Sequence, residues 1–478
     1  RVAWAARLLF NSLTFAVFFA VVLALWYAIE PWRGRKAMLL VASYVFYAAW
    51  NPPFVLILWL STVIDWFAAR WIFAARTGLH RRMALLLSLI VNLGLLGFFK
   101  YGGFLVENFT ALCGALGIDF HPAAPDIILP IGISFYTFET ISYTIDVYLK
   151  RCEPFRSFLD YGLFLTFFPH LVAGPILRPH EVVPQFERPH RATRTALGWG
   201  LFLLLVGLFE KVVLADTLLA PAAELVFGAD QPLAAVDAWV GVLAFSGQIF
   251  CDFAGYSTCA IGAALCFGFA FPDNFRFPYA AIGFSDFWRR WHISLSRWLR
   301  DYLYVPLGGN RRGPIRIYLN LMLTMLIGGL WHGASWNFVI WGGMHGVYLV
   351  VERLLREHGP RVAALERPAG RALLGLFTFF LVCLTWIFFR ATDLDAALAL
   401  VRAAFGAGGA AVLPTQEIAV VVLTMGGLLA THWAMRDRTI ESVAGRAPAF
   451  LITAAAAVML FALILAQGSA SAFIYFQF

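Results

Sequence analysis

Charge is what this sequence has least of: only 13% of its 478 residues are Asp, Glu, Lys or Arg, while 61% are hydrophobic and 16% aromatic. A soluble globular domain carries charge at about a quarter of its positions. A chain of this length could not cover its apolar surface in water, which excludes a soluble enzyme, a nucleic-acid-binding module and a disordered protein. Cysteine is also scarce. Cys113, Cys152, Cys251, Cys259, Cys266 and Cys383 form no CxxC pair and lie mostly in apolar runs, so they indicate neither a disulfide framework nor a zinc site, and no metal is expected. Short alternating strands of the β-barrel type are missing as well. The net charge of +8 reads as the Arg excess of cytoplasmic loops rather than a nucleic-acid surface.

What is present is a succession of apolar runs, each near the 20 or so residues that cross a bilayer. They cover 8–29, 37–69 with a break at Asn51-Pro52-Pro53, 83–100, 127–149, 157–177, 195–215, 241–268, 317–351, 372–389, 418–435 and 447–467. The first run is too long for a signal-peptide core and lacks a small-residue cleavage site, so it reads as a retained span. The expected fold is one all-α polytopic membrane domain over 1–478, with about ten to twelve transmembrane or re-entrant helices. Basic clusters at Arg33 to Lys36, Arg70 to Arg82, Lys150 to Arg156, Arg178 to Arg194, Arg276 to Arg316, Arg353 to Arg371 and Arg436 to Arg446 mark the cytoplasmic side. Stretches 101–126, 216–240 and 468–478 contain no Lys or Arg and belong outside. Segment 157–177 is basic on both flanks and holds Pro169-His170 and Gly174-Pro175, which suits a broken or re-entrant helix beside a central funnel.

Two histidine neighbourhoods stand out. Residues 284–303 are too charged to span and too aromatic for a loop. At about 100° per residue, Phe284, Phe287, Trp288, Trp291, Leu295, Trp298, Leu299, Tyr302 and Leu303 share one arc. Asp286, Arg289, Arg290, Arg297, Arg300 and Asp301 lie opposite, as in an amphipathic helix at the cytoplasmic interface. His292 falls inside the apolar arc, where a core histidine bonded to its neighbours and a functional imidazole both fit. The arginines suit either anchoring to anionic lipid or recognition of phosphates on an acyl carrier such as coenzyme A.

The second neighbourhood, Ile317 to Val351, is 35 residues long without one Asp, Glu, Lys or Arg, yet it contains His332 and His345. Basic flanks on both sides imply entry and return, with a turn near residues 333–337. Sixteen residues of helix from Arg316 would carry His332 roughly 24 Å into the bilayer. An ionisable group at that depth is by default functional. Gly328, Gly329 and Gly333 leave room for a substrate or a close helix, and apolar surroundings keep the imidazole neutral, as a general base requires. His345 lies nearer the return flank and reads as structural. Gln248, Asp252 and Tyr256, spaced i, i+4 and i+8, share a helix face, which makes Asp252 and Tyr256 candidate funnel-lining residues; the remaining polar groups, among them Asp65, Glu139, His170, Glu210 and Asp216, read as helix-pairing groups.

The run from Asp286 through Trp288-Arg289-Arg290-Trp291-His292 to Gly308-Gly309-Asn310 resembles the signature of the membrane-bound O-acyltransferases, in particular the bacterial alginate O-acetylation branch. Gly328-Gly329-Leu330-Trp331-His332-Gly333 resembles that family's second signature. Residues 129–136, Phe168-Pro169-His170 with Ala173-Gly174-Pro175-Ile176, and Asp252-Phe253-Ala254-Gly255-Tyr256-Ser257 are similar too, so the likeness covers about 40 to 350.

The resemblance implies tilted helices around a funnel, with His332 catalytic at its base and His292 a second essential or donor-positioning residue. It implies a bacterial inner-membrane enzyme that takes an acetyl group from a cytoplasmic thioester. Acetyl-CoA would be a co-substrate, with no bound cofactor. The acetyl group would pass across the membrane to an exported polysaccharide, directly or through an extracytoplasmic hydrolase-like partner. Arg289, Arg290, Arg297 and Arg300 are candidates for the donor mouth, and Trp331, Asn337 or backbone N–H groups for the oxyanion. D-alanyl transfer to teichoic acid from a carrier-protein thioester is the alternative within the family. Outside it stand a transporter or a passive scaffold of an export complex, neither of which needs His332 for thioester consumption.

Overall fold

The computed structural model describes residues 9–123, 127–360, 363–406, 408–466 and 474, and those residues form helices without named strands. The tail 468–478 expected outside lies, Ile474 apart, beyond the described residues, as do 124–126, 361 and 362. Among the described residues eight helices are long and apolar enough to cross a membrane, and two shorter apolar ones bring the number to ten, the lower end of the expected range. The chain divides into two compact units, residues 1–201 with 260–272 and residues 202–259 with 273–478.

The first unit holds α1 (Leu13–Ala28), α2 (Trp32–Ala48), α3 (Phe54–Ala74), α4 (Gly78–Ala115), α5 (Ile133–Tyr148), α6 (Phe158–Thr166) and α7 (Pro179–Glu187). The break at Asn51-Pro52-Pro53 separates α2 from α3. The 83–100 run extends to a 38-residue helix, because nothing in Tyr101–Ala115 stops it. The expected span 127–149 is instead the 16-residue α5, in which all but Ile145 and Tyr148 are buried, so it is a core helix rather than a lipid-facing one. The expected break in 157–177 is real: α6 stops at Thr166 and the chain stays non-helical until α7. Its freed backbone is satisfied by polar side chains, with Phe168 N–H donating to Ser43 Oγ (3.0 Å) and Leu177 N–H to Glu139 Oε1 (2.9 Å). Glu139 also lies 3.3 Å from His170 Nδ1, and Lys36 pairs with Asp160, so these buried polar contacts stitch the broken segment to its neighbours.

The chain passes between the units along α8 (Arg194–Leu208), which continues through a π-helical stretch, Phe209–Leu219, into α9 (Ala220–Phe227), and again along α10 (Ala235–Cys266). The second unit adds α11 (Phe284–Trp288), α12 (Ile293–Leu299), α13 (Pro314–His332), α14 (Trp336–His358), α15 (Ala363–Glu366), α16 (Pro368–Arg390), α17 (Leu394–Ala404), α18 (Thr415–Met435), α19 (Ile440–Ala444) and α20 (Ala449–Leu465). α13 and α14 are the entering and returning arms expected for 317–351, turning at 333–335. They approach closely because glycine faces glycine: a Cβ on Gly329 would fall 3.0 Å from Gly342 Cα. The room left by the glycines is thus filled by a helix. α20 buries none of its side chains and exposes Phe450, Leu451, Val458 and Phe461, a surface suited to lipid.

A second expectation about the elements also fails. Residues 284–303 are not a continuous amphipathic helix: α11 and α12 are separate, and Arg300–Tyr304 is a π turn. The break falls at His292, whose backbone is left-handed (φ 41°, ψ 57°). The cause is the neighbouring segment 273–276, which takes over the backbone groups a helix would use: Arg276 N–H donates to Arg290 O and Ile293 N–H to Asn274 O, each at 2.9 Å. The sidedness survives the break, since Phe287, Trp288, Trp291, Leu295, Trp298, Leu299 and Tyr302 are all buried while Arg289 and Arg300 are exposed.

Candidate active site

His292 and His332 both lie in the second unit and both are buried, at 0% and 3% exposure. His292 reaches its place through the left-handed turn, a conformation that costs a non-glycine residue roughly 1–2 kcal/mol. Its Nδ1 lies 3.2 Å from Asn274 Oδ1. His332 ends α13, and its Nδ1 lies 2.7 Å from the carbonyl oxygen of Gly328, one turn back. Both partners are acceptors, so each ring presents N–H at Nδ1, and in its neutral form the lone pair is on Nε2. Burial pushes the His292 imidazole well below the usual histidine range, and the nearby His332 ring adds to the effect.

Aromatic rings surround both imidazoles. Phe253 meets His292 edge-on at 4.7 Å between ring centroids, and Trp331 lies 6.1 Å from His292 and 5.0 Å from His332. Trp341 and Phe389 close on His332 at 4.7 and 5.6 Å. Such a shell limits the access of water to both rings, and around His292 it favours the neutral imidazole.

The other candidate residues divide. Trp331 packs against both histidines. Asn337 donates through Nδ2 to Ala391 O (3.0 Å), pinning the start of α14 to the end of α16. Arg290 belongs to an internal network: it pairs with Asp286 (3.0 Å) and Asp437 (3.6 Å) and donates to Arg436 O (2.7 Å), while Arg436 bonds Asp286 in turn. Burial alone would raise the Asp286 carboxyl, but bonds from Ile282 N–H, Arg290 and Arg436 outweigh it and hold it below the usual range. Arg289 is exposed, 3.9 Å from Asp286, Arg300 pairs with Asp301, and Arg297 is half-buried on α12.

Asp252 is turned away from the histidines. It binds Lys211, which also pairs with Asp216 at 2.9 Å, and accepts Ile474 N–H at 3.0 Å. The face of α10 that serves His292 carries Phe253 and Ser257, one position beyond Asp252 and Tyr256, an offset of about 100° around a helix. Tyr256 is buried on the same helix. His345, read as structural, donates from Nε2 to Thr385 Oγ1 (3.1 Å), whose own proton goes to Val382 O (2.7 Å).

A cavity of about 460 Å³ opens in the same unit between residues 226–233 and α17, with Phe227, Gln231, Ala391, Ala399 and Arg402 among its walls. Ala391, which accepts from Asn337, is two residues beyond Phe389, the ring against His332. Sequence reasoning did not reach this cavity or Asn274, since neither forms a local pattern.

A multi-pass helical protein with two buried, aromatic-caged imidazoles has the groups for acyl transfer. The family profile of the membrane-bound O-acyltransferases matches residues 155–390, and the chain belongs to that family. It is 44% identical over 405 residues to the probable alginate O-acetylase AlgI of Azotobacter vinelandii, covering 84% of this chain and 79% of that protein. It is 39% identical over 433 residues to the peptidoglycan O-acetyltransferase of Helicobacter pylori, covering 84% and 80%. A more distant likeness, 27% over 288 residues, links it to the teichoic acid D-alanyltransferase of Bacillus subtilis, covering 56% and 70%. The protein is a membrane acyltransferase of the O-acetylating branch.

Proposed function

We propose that the protein transfers acetyl groups from cytoplasmic acetyl-CoA to a hydroxyl destined for an exported polysaccharide, directly or through an extracytoplasmic hydrolase-like partner, in a bacterial inner membrane. The observation that carries the reading is the pair of buried histidines, each with Nδ1 against an acceptor so that the neutral ring has its lone pair on Nε2, and both packed against Trp331. The acceptor hydroxyl adds to the thioester carbonyl carbon as its proton passes to His332 Nε2. The C–S bond then breaks, and coenzyme A leaves as the thiol with that proton. His292 orients the donor or shares the proton. Arg289, Arg297 and Arg300 serve the phosphates of the donor on the basic side, and the cavity beside Ala391 receives the acceptor on the other. The greater identity to O-acetylating relatives than to the D-alanylating one supports acetyl over D-alanyl transfer.

Reconstituted protein given labelled acetyl-CoA and unacetylated mannuronan or peptidoglycan, with and without a hydrolase-like partner, tests the reading. Label should reach polymer or partner in the wild type and in neither with His332→Ala. Transfer by His332→Ala at the wild-type rate overturns it.

A further inference from the structure

Asn274 spends its main-chain oxygen and both side-chain polar atoms around His292. Its backbone oxygen accepts Ile293 N–H at 2.9 Å. Its Oδ1 lies 3.2 Å from His292 Nδ1, 3.2 Å from Ser294 N and 2.9 Å from Ser294 Oγ. Its Nδ2 donates to Ser257 Oγ on α10 at 3.1 Å. The Ser294 backbone N–H can only donate, so the amide cannot be flipped: the atom facing His292 is oxygen, and His292 must offer it Nδ1–H. Asn274 is 1% exposed, and segment 273–276 is tied to 290–293 by two backbone bonds, so the amide is delivered to the ring by main-chain pairing.

We propose that Asn274 is a positioning residue for the transfer reaction, locking His292 in the Nδ1–H form so that Nε2 holds the lone pair, with Ser257 fixing the amide in turn. The inference rests on His292 taking part in the transfer proposed above. An asparagine suits this place better than an aspartate. It orients the ring as a carboxylate would, but adds no charge, so the imidazole is not drawn into the cationic form. Other groups around His292 agree: Phe253 of α10, Phe275 and Trp331 of α13 present uncharged rings, and His332 is a titratable neighbour that disfavours its charged form.

The test uses the full chain in nanodiscs, with acetyl-CoA as donor and mannuronan or peptidoglycan as acceptor, whichever the wild type acetylates. Asn274→Ala should lower kcat about 10–100-fold, the size of effect known for partners that orient metal-bound histidines, with the KM for acetyl-CoA unchanged. Asn274→Asp, nearly isosteric, should move the acidic limb of the kcat–pH profile upward by about 1–3 units, because a carboxylate beside the ring favours the imidazolium. Nitrogen-15 spectra of labelled histidine should show the Nδ1–H form of His292 in the wild type and its loss in Asn274→Ala. A profile for Asn274→Asp that superimposes on the wild type, or an unchanged His292 spectrum in Asn274→Ala, overturns the proposal. If Asn274→Ala does not fold, the Asn274→Asp profile decides alone. Retained transfer by His332→Ala would instead sink the functional reading while leaving the spectroscopic result to stand on its own.

Discussion

Adjacent residues of α10 serve two opposite kinds of buried polar centre. Asp252 closes an ion cluster with Lys211 and Asp216, in which a cation meets two carboxylates and a backbone N–H caps one of them. Phe253 faces His292, in a centre built from neutral groups, where each histidine has one nitrogen engaged by an acceptor and aromatic rings take the place of charges. Charges that compensate one another hold helices together and are costly to separate. Neutral imidazoles with a defined lone pair can accept a proton and return it. The difference teaches that burial of a polar group does not by itself mark chemistry in this protein; what marks it is whether the surroundings leave the group able to change its protonation.

The largest test of that contrast is His332→Ala. Loss of the proposed general base should cut acetyl transfer by about 10²–10⁴-fold while the thermal midpoint in detergent stays near the wild type. A large loss of stability with it would make the histidine centre structural after all. Lys211→Met should do the reverse, destabilising the protein by about 3–5 kcal/mol while leaving the activity per folded molecule intact, as read by thermal unfolding alongside transfer assays. Adding Asp216→Asn and Asp252→Asn should recover much of that stability, because no uncompensated charge remains.

Smaller effects sharpen the picture at the rims. Ala399→Trp puts a large side chain into the cavity from an exposed position of α17; it should raise the acceptor KM by about tenfold, equivalent to about 1.4 kcal/mol of binding, without changing the KM for acetyl-CoA. Arg289→Ala should raise the acetyl-CoA KM a few-fold and weaken its dependence on salt, since exposed charges are screened. Arg290→Ala should act mainly on stability, because that guanidinium is held by Asp286, Asp437 and Arg436.

The smallest effect is on pH. An unfolded histidine takes up its proton near pH 6.5, whereas folded His292 resists protonation to well below that value. Its contribution to stability is therefore complete above about pH 6.5 and declines as the pH falls toward the folded value. Thermal midpoints measured from pH 8 to 5 should fall more steeply in the wild type than in His292→Gln; parallel curves would remove this reading of the neutral centre.

Much of this protein was legible from residue order alone. Hydrophobic runs located most of the helices, since a span must be apolar along its length whatever it packs against. The prolines before α3, the turn between α13 and α14 and the break after α6 showed for the same reason: backbone geometry at Pro and Gly is local. The inward side of 284–303 and the isolation of His332 among uncharged residues were equally visible. The phase of α10 was not, because Asp252 and Phe253 differ by a single position and only the tertiary arrangement says which turns toward Lys211 and which toward His292. The left-handed turn at His292, the amide of Asn274 that holds its tautomer, and the commitment of Arg290 to an internal network were likewise decided by contacts between distant segments. Local sequence carries the free energy of transfer into lipid and the limits on backbone torsion, but the protonation pattern of a buried histidine depends on which acceptor the fold brings to its ring.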